Sequence, residues 1–329
     1  EDRKGQILEE GINEAGAFCS WMAAGTAYAN HGINMIPLYI FYSMFGFQRI
    51  GDFAWAAGDM QARGFLIGAT AGRTTLAGEG LQHQDGHSHL LSSTIPNCVS
   101  YDPCYAYELA VIMQDGLRRM VAEQESVFYY ITCMNENYAM PAMPKGVEQG
   151  ILRGMYLLHI GGRGAVRVTL FGAGTILRET LAAAALLESE FGIPADVFSV
   201  TSFSELRRDA LACERVAMLA PEQKAKVPWV RECLAGRDGP FIAATDYMKI
   251  VADQIRQWVP GRYVALGTDG YGRSDSRQAL REHFEVSRNW IVVAALKALA
   301  DDGRLDKATV GLGIKKFGLD PAKPDPLVS

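Results

Sequence analysis

The chain contains no Cys-x-x-Cys pair; its six cysteines are scattered through 329 residues. That spacing argues against a thiolate zinc site and against a disulfide framework. A reducing cytoplasm is the expected compartment. No apolar run reaches the length of a bilayer span, and the longest, Trp290 to Ala300, is interrupted by Lys297. No Lys/Arg block stands out and the net charge is −5. Neither a membrane nor nucleic acid is therefore an expected partner. Low-complexity segments and short repeats are absent too, and no signal peptide is expected in the opening residues. The chain opens Glu1-Asp2-Arg3-Lys4, without Met, and is expected to be a piece of a longer polypeptide.

What is present is ordinary globular material, with 49% hydrophobic and 21% charged residues. That suffices for two domains of about 150 residues each. Helical and extended patterns alternate, which favours α/β architecture. Glu9 to Asn30 reads as a helix stopped by His31-Gly32, and Ile36 to Phe41 as a buried strand. Ser43 is the expected cap of a second helix. Phe65 to Ala69, Cys98 to Tyr101 and Val127 to Thr132 are further strands, and Pro103 is expected to open a helix. The Gly-rich stretch ending Gly161-Gly162-Arg163-Gly164 marks a domain boundary, giving domains 1–162 and 163–329. Beyond it, Val166 to Phe171, Asp196 to Val200, Phe241 to Ala244 and Tyr263 to Leu266 read as strands. Ile176 to Phe191 and Ser287 to Ala300 read as helices.

Chemistry concentrates in Gly78 to His89, where three of the six histidines fall within seven residues beside Glu79 and Asp85. The segment follows a strand, where open parallel sheets place their crevice. His83, His87, His89 and Asp85 could line a substrate side and move protons, hydrogen-bond within a loop, or hold a metal. Glu14 lies on an otherwise apolar helix, and a carboxyl buried there would hold a proton to share with a ligand nitrogen. Glu9 and Glu10 read as a solvated acidic first turn. In Tyr39 to Phe47, Phe41 and Phe47 suit the core, whereas Tyr42 and Phe45 could form a slot for a heteroaromatic ring. Gly267 to Arg277 is expected to be a turn held by Asp and Ser side chains, since it lacks the phosphate-loop pattern.

These residues carry a family resemblance. Gly5 to Glu14, Tyr42 to Arg49, Glu79 to His89, Met134-Asn135-Glu136-Asn137-Tyr138 and Gly267 to Arg277 resemble homodimeric bacterial pyruvate dehydrogenase E1 components. These belong to the thiamine-diphosphate-dependent, transketolase-like superfamily. The resemblance implies two doubly wound α/β domains, one pyrimidine-binding and one transketolase C-terminal-like. It implies that Glu14 hydrogen-bonds the aminopyrimidine, that Tyr42 and Phe45 stack around it, and that Ile12 props the bent cofactor. Glu79 and His83 would face the substrate side, with His83 assisting proton transfer. The implied reaction decarboxylates pyruvate and passes the two-carbon unit to the lipoyl group of the E2 dihydrolipoyl acetyltransferase. The family holds the diphosphate through magnesium with a Gly-Asp-Gly motif and a downstream Asn, which this sequence does not contain. The chain alone is therefore expected to be inactive and to contribute no metal ligand. Gln84 stands where an acid is common. Two other readings compete: a metal-dependent hydrolase built on His83, Asp85, His87 and His89, and a non-catalytic dimerising scaffold.

Overall fold

The computed structural model describes residues 4–329. The opening Glu1, Asp2 and Arg3 lie outside the described residues. The first unit contains α1 (Glu14–Gly25), α2 (Ala27–His31), β1 (Leu38–Tyr42), α3 (Ser43–Asp59), β2 (Phe65–Ala69), α4 (Ser88–Ser93), β3 (Cys98–Tyr101), α5 (Ala106–Leu117), β4 (Phe128–Cys133) and α6 (Glu148–Arg153). The second contains β5 (Met155–His159), β6 (Val168–Gly172), α7 (Ile176–Phe191), β7 (Ala195–Val200), α8 (Phe203–Leu219), α9 (Trp229–Cys233), β8 (Phe241–Ala244), α10 (Lys249–Asp253), β9 (Tyr263–Leu266), α11 (Arg277–His283), α12 (Arg288–Asp301) and α13 (Lys307–Phe317).

The first sheet is wholly parallel, in order β1-β2-β4-β3. Strand side chains alternate between faces, and both faces are covered except along β1, an edge strand rather than the expected buried one, whose Leu38, Ile40 and Tyr42 are exposed. Phe41, Leu66, Cys98, Phe128 and Tyr130 pack with Phe18, Trp21, Phe47 and Ile50 of α1 and α3. Their neighbours Phe65, Ile67, Val99, Tyr129 and Ile131 pack with Ile112 of α5 and Ile151 of α6. The second sheet runs β5-β7-β6-β8-β9, parallel except for β5. Its Leu170, Val197 and Ile242 face α7 and α12, while Phe171, Phe198 and Phe241 face α8 and α10. Both units are doubly wound α/β layers, as fully buried apolar strands require.

Several local expectations are corrected. The first helix starts at Glu14, not Glu9, because Asn13 Oδ1 caps it by accepting from Gly16 N at 3.1 Å. It breaks at Thr26 before the short α2. Ser43 does not cap α3: Tyr42 holds the cap position, and Ser43 Oγ is buried without a partner among the described residues. The helix after Pro103 begins only at Ala106, where the Glu108 carboxylate accepts from the amides of Cys104 and Tyr105. Strand β5 was not anticipated. It pairs antiparallel with β7, so by sheet membership we place the division of the units at Gly154 rather than after Gly162.

The units share a polar seam along the carboxyl end of the first sheet. Asp102 N donates to Thr201 O at 2.8 Å, and Gly174 N donates back to Asp102 O at 3.2 Å. Arg208 caps the other side, donating to the carbonyls of Cys98 and Ile95.

Candidate functional site

Strand β1 runs directly into α3, and this junction builds one wall of the site. Alternation sends Phe41 into the core and Tyr42 outward, 47% exposed. Phe45 lies three residues on, its ring 6.3 Å from Tyr42 and tilted 73°. Between Phe45 and Phe47, Gly46 has no Cβ because one would enter the Phe41 ring. Arg49 is one turn beyond Phe45, and its guanidinium lies 4.3 Å over the Phe45 ring. It reaches across to α1, donating from Nη1 to Glu14 Oε1 at 2.5 Å. Glu14 is thus the first residue of α1, its side chain 17% exposed and ion-paired. This corrects the expectation of a carboxyl sealed in an apolar helix face. The phenol of Tyr39 is pushed up to about 12 by burial and then by the negative charges of Glu14 and Glu10.

The second wall is the histidine segment. His83 ends a short 3₁₀ turn, Leu81–His83. Its Nδ1 bonds Glu79 Oε2 at 2.8 Å. Its ring stacks on Tyr42 at 5.1 Å and 14° and meets Phe45 edge-on at 5.0 Å. Glu14, Arg49, Phe45, Tyr42, His83 and Glu79 therefore form one unbroken surface from three separate stretches of chain. The face of Tyr42 expected to receive a ring carries the His83 imidazole. Ile12 stands apart, 98% exposed.

The remaining histidines diverge. Asp85 is buried and turns the chain into α4: its Oδ1 accepts from His87 N at 2.9 Å and Ser88 N at 3.0 Å. His89 points inward, its Nε2 3.0 Å from Thr132 Oγ1. Burial lowers its pKa to about 4, with Asp85 pulling weakly the other way. Among the described residues, no three His, Cys, Asp or Glu side chains gather into a metal-holding group. The metal-hydrolase reading fails on this geometry, because Asp85 is committed to backbone amides and His83 and His89 bond different partners.

The second unit holds this loop in place. Asp246, fully buried, accepts from the amides and hydroxyls of both Thr74 and Thr75. Met248 N donates to Gly86 O at 2.8 Å. The Gly267 to Arg277 stretch is a turn, as composition suggests, but it also props the site. Ser274 Oγ donates to Glu79 O at 2.8 Å, and Arg273 N donates to Gln84 Oε1 at 2.7 Å. Gln84 simultaneously donates to Leu76 O at 3.1 Å, which an ionised acid at that position could not do.

Residues 1–141 match the model of the pyruvate dehydrogenase E1 component middle domain, and residues 154–287 that of the transketolase-like C-terminal domain. The chain is 66% identical over 329 residues to the pyruvate dehydrogenase E1 component of Pseudomonas aeruginosa, covering 99% of this chain. Identity to that of Escherichia coli K12 is 59% over 330 residues, again covering 99% of this chain. The chain belongs to the pyruvate dehydrogenase E1 component family. It spans 37% of the length of these relatives. Solved transketolases share the fold: that of Campylobacter jejuni superposes with a TM-score of 0.61 at 18% identity, covering 84% of this chain and 38% of its own. A split-gene transketolase superposes at 0.59 and 18% identity, covering 88% of this chain and 83% of its own.

Three charged residues of the site and the seam stand outside the sequence expectations. Arg49 lay inside a motif that was noticed, yet its partner is 35 residues away. Asp102 directly follows the buried strand β3, and Asp246 follows the buried strand β8 after one residue, Thr245. That position, at the carboxyl end of a parallel strand, was the available clue.

Proposed function

We propose that this chain supplies the pyrimidine-binding half of a thiamine diphosphate site in a cytoplasmic, homodimeric pyruvate dehydrogenase E1 component. The enzyme would act on pyruvate and pass the acetyl unit to the lipoyl group of the E2 dihydrolipoyl acetyltransferase. The observation that carries the reading is the continuous surface of Glu14, Tyr42, Phe45, Glu79 and His83, in a chain of this family.

The donor set fits an aminopyrimidine. A carboxyl stands ready for a ring nitrogen, two aromatic rings offer a face and an edge, and a histidine paired with a carboxylate lies beside them. Thiamine diphosphate, when bound, supplies an acidic thiazolium carbon and an electron sink for decarboxylation. The chain's own residues then have distinct tasks. Glu14 holds a proton at the ring nitrogen, and Arg49 fixes where that carboxyl stands. Tyr42 and Phe45 pack the ring and exclude water, with Ile12 closing the apolar side. Glu79 accepts from His83 Nδ1, which leaves Nε2 to exchange a proton on the substrate side. In this reading His83 leaves the Tyr42 face when another ring takes it.

The reading assigns magnesium and the diphosphate to the part of the longer protein outside this chain, which spans 37% of its relatives. By itself the chain is then inactive. A split-gene transketolase of comparable extent is described as an inactive β4 tetramer, which supports that expectation.

The test is pyruvate-dependent reduction of an artificial electron acceptor by the complete enzyme carrying Glu14→Gln. Turnover falls by roughly 100-fold or more while the fold survives. Near-normal turnover would remove Glu14 from its role.

A further inference from the structure

At the amino ends of β6, β7 and β8 lies a cavity of about 270 Å³ whose wall includes Arg167, Asp196, Gly236, Arg237, Asp238 and Gly239. It sits at the end of the second sheet away from the polar seam, and no residue of the candidate site enters it. Asp196 organises the wall. Its Oδ1 accepts from Arg167 Nη2 at 2.7 Å and its Oδ2 from Arg237 Nε at 3.1 Å. One carboxylate thus holds two guanidinium groups, which leaves a positive charge in excess. Arg237 is further fixed by donating from Nη1 to Cys233 O at 3.0 Å and by lying 5.0 Å over the Phe198 ring. The two arginines are therefore ordered before any ligand arrives, which lowers the entropy lost on binding.

Donors remain unused on this wall. Arg237 Nη2 and Arg167 Nε have no hydrogen-bond partner among the described residues, and neither do the amides of Gly236, Asp238 and Gly239. Gly236 and Gly239 hold φ of +75° and +71°, the left-handed backbone that recurs in anion-binding concavities. Two guanidinium groups together with turn amides offer more donors than the two oxygens of one carboxylate accept in a plane, and suit the three free oxygens of a phosphate group. The cavity is larger than a bare oxyanion needs and close to the lower limit for small-molecule sites. Asp238 stands at the rim, its side chain 87% exposed and 3.6 Å from Arg304. Its negative charge discriminates against polyphosphates.

We propose that this cavity binds a small phosphate monoester, with the phosphate held between Arg167, Arg237 and the Gly236–Gly239 turn. The inference does not rest on the thiamine diphosphate reading, and its failure would leave that reading untouched.

Calorimetric titration tests it on the complete protein saturated with thiamine diphosphate and magnesium, so that the other phosphate-binding position is filled. Ribose 5-phosphate, inorganic phosphate and citrate are the probes. Ribose 5-phosphate should bind once per chain and more tightly than either comparator. Arg237→Met should weaken it roughly tenfold or more. Asp238→Asn, a surface change that leaves the fold intact, should tighten it roughly two- to fivefold. Absence of ribose 5-phosphate binding overturns the proposal. So does binding indifferent to both substitutions, or citrate binding equally well. If inorganic phosphate binds as tightly as the ester, the cavity is only an adventitious anion site and the monoester assignment fails.

Discussion

Asp102 offers a direct test of how the two units are joined. It follows β3 and is buried in the seam. Its Oδ1 accepts from Thr132 Oγ1 at 2.7 Å, while Oδ2 is buried with no partner among the described residues. Burial pushes its pKa from 3.8 up to about 8; the Thr132 hydrogen bond opposes this, and the charges of Asp246, Glu108 and Asp85 reinforce it. The folded protein therefore keeps a proton that the unfolded chain releases. The stability this contributes is fully present below the unfolded pKa of 3.8 and is lost as pH rises toward about 8. The rise from 3.8 to about 8, at ~1.36 kcal/mol per pH unit, sets a ceiling of about 6 kcal/mol. Asp102→Asn keeps an acceptor for Thr132 and cannot ionise. Urea-denaturation midpoints of wild type and variant, measured from about pH 5 to about pH 8, isolate the effect. The variant should become progressively the more stable, with the gap widening by up to ~1.4 kcal/mol per pH unit. Parallel stability curves across that range would refute the reasoning.

The remaining predictions concern the same seam. His89 is held neutral by burial with its pKa lowered to about 4, so its contribution is full above the ordinary 6.5 and is lost as pH falls toward 4. His89→Gln should flatten that acid limb by up to ~1.4 kcal/mol per pH unit, read from the same urea midpoints. Asp246→Asn turns an amide donor toward Thr74 or Thr75 donors and should destabilise the protein by about 2–5 kcal/mol, seen as a lowered melting temperature.

Much of this architecture is legible in the sequence, and the exceptions share a cause. Strands β2, β3 and β8 coincide with apolar runs bounded by turn residues because their side chains are buried on both faces, and the partly buried edge strand β9 keeps the same apolar run. Strand β5 escapes for the converse reason. It is an antiparallel edge strand, its pattern decays to an exposed His159, and it follows the helix α6 without a loop. Gly154, with φ of +102°, ends α6 and marks the switch. Within the site, Tyr42, Phe45 and His83 announce themselves by composition. The ion pair between Glu14 and Arg49 does not, because it depends on how α1 and α3 cross. Asp85 looks like a metal ligand in sequence, yet it is consumed by the amides that start α4. An acid two or three residues before a helix is ambiguous until its oxygens are counted.

The histidine segment contributes few apolar side chains of its own to hold Glu79 and His83 in place. Its position comes from hydrogen bonds to the second unit: Asp246 to Thr74 and Thr75, Met248 to Gly86, Arg273 to Gln84 and Ser274 to Glu79. The Tyr42 and Phe45 wall, by contrast, is set within the first unit by the packing of α3 against Phe41. One wall is thus fixed by a core and the other by an interface. A core resists small displacements because it is close-packed, whereas an interface of hydrogen bonds can shift as a unit. The stacking of His83 on Tyr42 joins the two walls. A ring that took the Tyr42 face would exchange that contact for its own, and the loop's seam would carry the adjustment. The second unit, which gives no side chain to the described surface, is on this argument what sets the distance between its walls.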